Sequence, residues 1–221
     1  VFIDLYPIKG GVGTSVIAAT LAGALPSGGE SLLMFTRNRS EINDQVAIFG
    51  VPTIDDIKHG EIRRLSSFPR DEFMQNQFTA WITLSSHGQF AAEMYTNLDH
   101  VIAIHAPYED KTKSAFDDAG YRSLRIAIVE NSYMALSRFS KDNVEYDYAI
   151  VSTSDGPLTM QDCRNVMGMH DNTVFEWPHD AAIQRAVDAG IYVGRLDRLK
   201  NQSIKPIIKA ITRKENHASN K

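Results

Sequence analysis

The residues with the clearest chemical potential stand together near the start of the chain, in Lys9-Gly10-Gly11-Val12-Gly13-Thr14-Ser15. Glycines at such spacing let the backbone turn so that successive N–H groups face one point, which is how a chain cradles phosphate. Where a helix follows, its N-terminal amides and dipole add to the same field. A lysine beside the turn supplies charge, and a hydroxyl such as that of Ser15 is a ligand for Mg²⁺. His105 stands at the end of an apolar stretch with no second His or Cys at ligand spacing. It therefore reads as hydrogen-bonded packing rather than as a metal ligand or general base. Asp4 falls inside the first apolar stretch and is expected to face a neighbouring polar group. No Ser/His/Asp relay has positional support.

The elements around the glycine turn must position it between a strand and a helix. Residues 1–6 are rich in β-formers and short enough for one buried strand; residues 16–25 carry apolar side chains at helical spacing and stop at Pro26 and Gly28-Gly29. Beyond them strands and helices alternate nearly to the end. Strands are expected at 2–6, 31–35, 79–84, 100–106, 124–130, 148–153 and 173–177. Helices are expected at 15–25, 42–49, 53–59, 89–98, 111–119, 132–140, 159–167, 180–189 and 203–212. Residues 63–77 are polar and aperiodic and read as a surface excursion. This alternation predicts an α/β domain, a mostly parallel sheet of about seven strands with helices on both faces. We expect one domain over residues 1–214, with 215–221 as a frayed tail.

Bulk properties narrow the class. The 221 residues carry a net charge of −4, which gives no case for nucleic-acid binding by bulk electrostatics. The lone Cys163 excludes an internal disulfide and a cysteine-rich zinc site, and suits a reducing cytoplasm. No apolar run reaches the length of a membrane span. A few residues are expected to precede Val1, and no signal peptide is seen.

The glycine turn departs from G-x-x-x-x-G-K-[ST] but resembles the deviant Walker A loop, K-G-G-x-G-K-[ST], of the MinD/ParA P-loop ATPases of the SIMIBI class. Lys9, Gly10, Gly11, Gly13 and Ser15 match it, and Thr14 stands where that family has its second lysine. Ala19-Thr20-Leu21-Ala22 is similar to the family's A-x-N-L-A, with Thr20 in place of asparagine. Val174-Phe175-Glu176-Trp177-Pro178-His179-Asp180 and Ala186-Val187-Asp188-Ala189-Gly190 look like its strand–Pro–x–Asp segment and glycine-ended helix. A plain packing turn and a Rossmann loop are the alternatives; the latter lacks its third small residue, because Val16 sits there. The resemblance implies a three-layer P-loop NTPase fold and binding of ATP or ADP by residues 9–16, including Val12 and Val16. It further implies Mg²⁺ on Ser15, Pro178 near the adenine, and Lys9 reaching across a homodimer interface as the remaining candidate catalytic group.

The same resemblance implies that the hydrolytic charges are gone. The family's water-side aspartate closes the second strand, where Phe35 stands; its Mg²⁺-side aspartate closes a middle strand, where His105 stands, or Ser152 under an alternative alignment. Glu109 and Asp110, just after the middle strand, are the acids that could substitute, Asp110 being equally a helix N-cap. Loss of the second loop lysine points to TadZ/CpaE-like localisation proteins of Flp/Tad-type pili, with cellulose-synthesis ATPases of the BcsQ type carrying a comparable loop. Ser132-Tyr133-Met134-Ala135-Leu136-Ser137-Arg138 resembles a TadZ segment. The expected protein is a degenerate, dimeric ATP-binding localisation factor with a protein partner, cytoplasmic, at a pole or at the inner membrane face. An active slow ATPase using Lys9 and a nucleotide-free interaction module are the alternatives. Finally, Ile204, Ile207, Ile208 and Ile211 line one helix side among Lys205, Lys209, Arg213 and Lys214. They form either a basic amphipathic membrane contact or a final helix docked on the sheet, with Pro206 tolerated only in its first turn.

Overall fold

The strand Phe2–Pro7 (β1) sorts its side chains by the two-residue period of an extended chain: Ile3 and Leu5 enter one apolar cluster, Tyr6 another. Both faces are covered, and β1 lies inside the sheet. The computed structural model describes residues 1–25, 30–35, 62–71, 74–84, 100–107, 122–153, 156–189 and 201–218, with Leu98, Ser114 and Phe116. The further strands are Glu30–Phe35 (β2), Ile62–Asp71 (β3), Met74–Leu84 (β4), His100–Ile104 (β5), Leu124–Glu130 (β6), Tyr148–Thr153 (β7) and Val174–Pro178 (β8). Their order across the sheet is β3-β4-β2-β5-β1-β6-β7-β8. Every neighbouring pair is parallel except β3 with β4. In β1, Leu5 pairs with Ile104 on one side and Ile126 on the other.

Helices Thr14–Ala24 (α1), Ala181–Asp188 (α4) and Asn201–Ala218 (α5) cover one face, where Ile17, Leu21, Ile183 and Ile207 meet Leu5, Ile102, Ile126 and Ile150. Helices Tyr133–Phe139 (α2) and Met160–Met167 (α3) cover the other, where Leu136, Phe139 and Cys163 meet Tyr6, Val129 and Val151. This is the expected three-layer α/β arrangement. Three of the helices start one residue after the expected position because that position is the cap. Ser132 accepts from the Ala135 amide, Asp180 from that of Ala182, and Thr159 forms a reciprocal capping box with Asp162.

Several expectations are corrected. Residues 63–77 are no surface excursion: 62–71 and 74–84 form an antiparallel hairpin on the sheet edge. Its register shifts between Arg64 and Ser66 and between Pro69 and Asp71. Such bulges break the two-residue period by which a strand is recognised, and a proline is tolerated on an edge. The helix expected at 111–119 is not present at Ser114 and Phe116, because the Ser114 hydroxyl takes the Phe116 amide at 3.0 Å, a local alternative to helix. Leu98 is likewise outside regular structure. The remainder of the helices expected at 89–98 and 111–119, those at 42–49 and 53–59, and Glu109 and Asp110 lie outside the described residues.

The last helix is longer than expected and places Pro206 at its sixth residue, past the first turn. An interior proline costs about 3 kcal/mol. Burying Ile204, Ile207 and Ile211 in the first cluster offsets it at about 1.5–3 kcal/mol each. That docking is the second of the two readings of this helix. Three residues of its apolar stripe, Ile204, Ile207 and Ile211, are part of the core and Ile208 is half-buried against it, while Lys205, Lys209 and Arg213 stay exposed. The helix runs through Ala218, beyond the expected boundary at 214. No helix among the described residues is long and apolar enough to cross a membrane.

Candidate functional site

Between β1 and α1 the chain reverses twice through the left-handed region, at Gly11 (φ 77°) and Gly13 (φ 81°). Side-chain-bearing residues rarely adopt this conformation, which explains both glycines. Val12, between them, is 3% exposed and sinks into the α1-side cluster, so one apolar side chain anchors a loop whose glycines face outward. Ile8 N–H donates to Ile128 O at 3.0 Å and fixes the loop's first end to β6. Gly13 is the N-cap of α1 and offers no side-chain cap; no acid stands in the first turn. The positive end of the helix dipole is thus left for an external anion.

This loop forms one wall of a cavity of about 530 Å³ lined by Pro7, residues 9–16, Ile104, His105, Pro107, Gln184, Val187 and Asp188. The volume lies in the range of small-molecule sites. Thr14, Ser15 and Val16 are half-buried on the helix side of that wall. All seven predicted loop positions, with Val16, therefore meet in one place. Pro178 does not join them: it ends β8 on the sheet edge, paired with Thr153, and is absent from the lining. Ser152, on β7, is likewise outside it, whereas His105 follows β5, directly beside β1. Thr20 turns its hydroxyl back to Val16 O at 2.7 Å within its own helix.

Two functional features were missed in the sequence. The first is Glu130, at the end of β6, whose Oε2 lies 2.6 Å from Lys9 Nζ. The hydrogen bond from Lys9, with those of Ser132 and the lysine charge, outweighs partial burial and holds the Glu130 carboxyl below its ordinary range. Lys9 is therefore held in its own chain, at the rim of the cradle. The second is the part of the lining contributed by α4, where Gln184 Nε2 donates to Asp188 Oδ1 at 2.7 Å. One helical turn of α4 thus brings a carboxylate to the same cavity as the glycine loop, a placement invisible without the fold.

Beneath the loop, His105 is wholly buried, and its Nε2 donates to Asp4 Oδ1 at 2.6 Å. Ser114 donates to Asp4 Oδ2 at 2.5 Å, Ser123 donates to the same oxygen, and the His105 ring stacks on Tyr6 at 4.1 Å. Burial pushes the Asp4 carboxyl up, but the hydrogen bond and charge of His105 and the two serine hydroxyls prevail and hold it below its ordinary value. The polar neighbours expected of Asp4 are thus His105, Ser114 and Ser123, and the packing expected of His105 is stacking on Tyr6 with a carboxylate partner. Among the described residues no group of three or more His, Cys, Asp or Glu is placed to hold a metal ion.

A parallel sheet covered on both faces, with a strand–glycine loop–uncapped helix unit beside a cavity, has the architecture of a P-loop protein. The solved structures it resembles are more particular. A ParA family ATPase from Chlorobium tepidum aligns with 95% of this chain and 97% of its own, at TM-score 0.63 and 12% identity. The MinC:MinD cell division complex from Aquifex aeolicus aligns over 97% and 95%, at TM-score 0.64 and 15% identity. A putative plasmid partition protein from Borrelia burgdorferi, bound to AMPPNP, aligns over 96% and 98%, at TM-score 0.60 and 15% identity. No protein-family model matches the sequence, and no curated protein matches it. At these identities what is shared is the fold, that of the ParA and MinD ATPases.

Proposed function

We propose that this chain is a degenerate MinD/ParA-like P-loop protein that binds ATP or ADP, weakly or as a structural ligand, and acts as a dimeric localisation or assembly factor. The observation that carries the reading is the pairing of an intact cradle with a consumed catalytic position. Gly11, Gly13 and the uncapped start of α1 face a cavity of nucleotide size. Thr14 brings no cation to that wall, and the His105 ring is buried against Asp4. The phosphate end of a nucleotide fits this wall, its charge met by backbone amides and by Lys9. Mg²⁺ would rest on Ser15, on phosphate oxygens and on water, since Mg²⁺ keeps several waters where carboxylates are few. The Borrelia burgdorferi neighbour's AMPPNP supports a nucleotide as the ligand, and the MinC:MinD complex supports a protein partner. The TadZ-like look of the segment following β6 makes a Flp/Tad-type pilus the assembly to test first.

Titration calorimetry with ADP and ATP, with and without Mg²⁺, tests this. Saturable binding that Gly13→Val abolishes, with no phosphate release above background, is the expected result. No heat with either nucleotide would leave an interaction module in its place. Turnover that Lys9→Ala removes would instead establish the slow ATPase, a reading favoured by the position of Lys9 at the cavity rim.

A further inference from the structure

Away from the cavity, the helix after β6 carries an unusual surface. Tyr133 and Met134, consecutive at the start of α2, are 70% and 62% exposed. The other large apolar side chain exposed among the described residues is Val166, on α3, the helix packed beside α2. The inner side of α2 is already satisfied: Ala135, Leu136 and Phe139 are buried in the second cluster, so Tyr133 and Met134 are not misplaced core residues. Helical spacing puts Ser137 and Arg138 on the same outer side, and Lys141 follows in the turn just past the helix end; all three are exposed. Neither cation has an acidic partner among the described residues. Asp142 accepts from the Tyr146 hydroxyl at 3.4 Å, and Asp162 closes the capping box of α3.

An aromatic ring, a flexible thioether and two exposed cations close together match the composition that concentrates binding energy at interfaces, where Tyr, Met and Arg are enriched. We propose that the outer face of α2 docks an acidic segment of a partner protein. One apolar side chain of that segment would seat on Tyr133 and Met134, and its carboxylates would meet Arg138 and Lys141. Charge selects this occupant. A basic segment would meet two like charges, and a neutral one would leave both cations unpaired. The inference does not depend on nucleotide binding.

The test is selection from a phage-displayed random dodecapeptide library on the whole chain. Selected peptides are expected to be acidic with one aromatic or leucine side chain. Their affinity, read by fluorescence anisotropy, should fall about tenfold in Tyr133→Ser/Met134→Ser and about as much in Arg138→Glu/Lys141→Glu. All four positions are exposed, so both variants should keep the urea midpoint of the parent, which separates lost docking from lost folding. Absence of enrichment, enrichment of basic or neutral peptides, or equal selection by either variant would overturn the proposal. So would sedimentation showing a dimer that Tyr133→Ser/Met134→Ser dissolves, because a second copy would then be the occupant.

Discussion

The glycine loop and the polar knot around Asp4 hang on the same strand and are built on opposite terms. The loop offers backbone N–H groups to a cavity, and one valine anchors it. The knot turns mainly inward: Asp4, His105 and Ser114 are at most 4% exposed, and the Asp4 carboxylate accepts from His105 Nε2 and the Ser114 hydroxyl, while the His105 ring also borders the cavity. A site that binds must keep donors in reserve, whereas a core that holds must leave as few as it can. By that criterion the loop has the build the proposed binding role requires, and the strand end where the MinD/ParA resemblance would place a metal-side acid has the build of a structural element.

Removing the knot should have the largest effect. Asp4→Ala leaves the His105 ring and two hydroxyls without their shared acceptor in a closed space, and should destabilise the fold by about 3–5 kcal/mol in urea unfolding. Because the folded-state pKa of Asp4 is depressed, its contribution is complete above the unfolded value of about 3.9 and is lost as pH falls through the folded one. The Asp4→Asn protein should lose that part of the acid dependence. Unchanged stability in both variants would mean the knot is incidental.

Next comes the docking of α5. Ile207 is fully buried, so Ile207→Ala should cost about 2–4 kcal/mol. Vesicle binding should be equal in variant and parent, because this stripe packs on the sheet. Vesicle affinity that depended on Ile207 with stability intact would reverse that assignment.

These two regions also divide what could be read from residues alone. The seven expected strands, the glycine turn and the helices after β6, β7 and β8 were legible because each is written locally, in period and turn chemistry, although Ser132, Thr159 and Asp180, expected as helix starts, are their caps. The β3–β4 hairpin was not, since its register shifts erase the alternation and its backbone pairing leaves no apolar signature. The lysine of the loop was legible and its partner was not: Glu130 lies at the end of a strand that meets β1 only through sheet order. Gln184 and Asp188 were hidden for the same reason. Local chemistry marked the cradle, and only topology could complete the cavity.

A smaller change probes the loop itself. Gly13→Ala meets no neighbour within 4 Å, so its penalty is conformational, about 1–2 kcal/mol for a side chain held at φ 81°. Stability should fall by that amount and ADP binding should weaken with it. A loop serving only as a turn would show the first effect without any ligand affinity to lose.

The smallest stability effect and the sharpest contrast belong to Lys9 and Glu130. Both side chains are about a quarter exposed, at 26% and 23%, so solvent screens the pair, and breaking it should change stability by less than about 1 kcal/mol. That contribution is present above the ordinary glutamate pKa and fades as pH falls through the depressed Glu130 value. Ligand binding should respond with opposite signs. Lys9→Ala removes a cation from the cradle and should weaken ADP binding about tenfold. Glu130→Ala releases the same cation toward the phosphate and should tighten binding. If both variants weakened binding alike, the pair would act as one structural clasp that shapes the loop; opposite signs would establish that Glu130 competes with the ligand for Lys9.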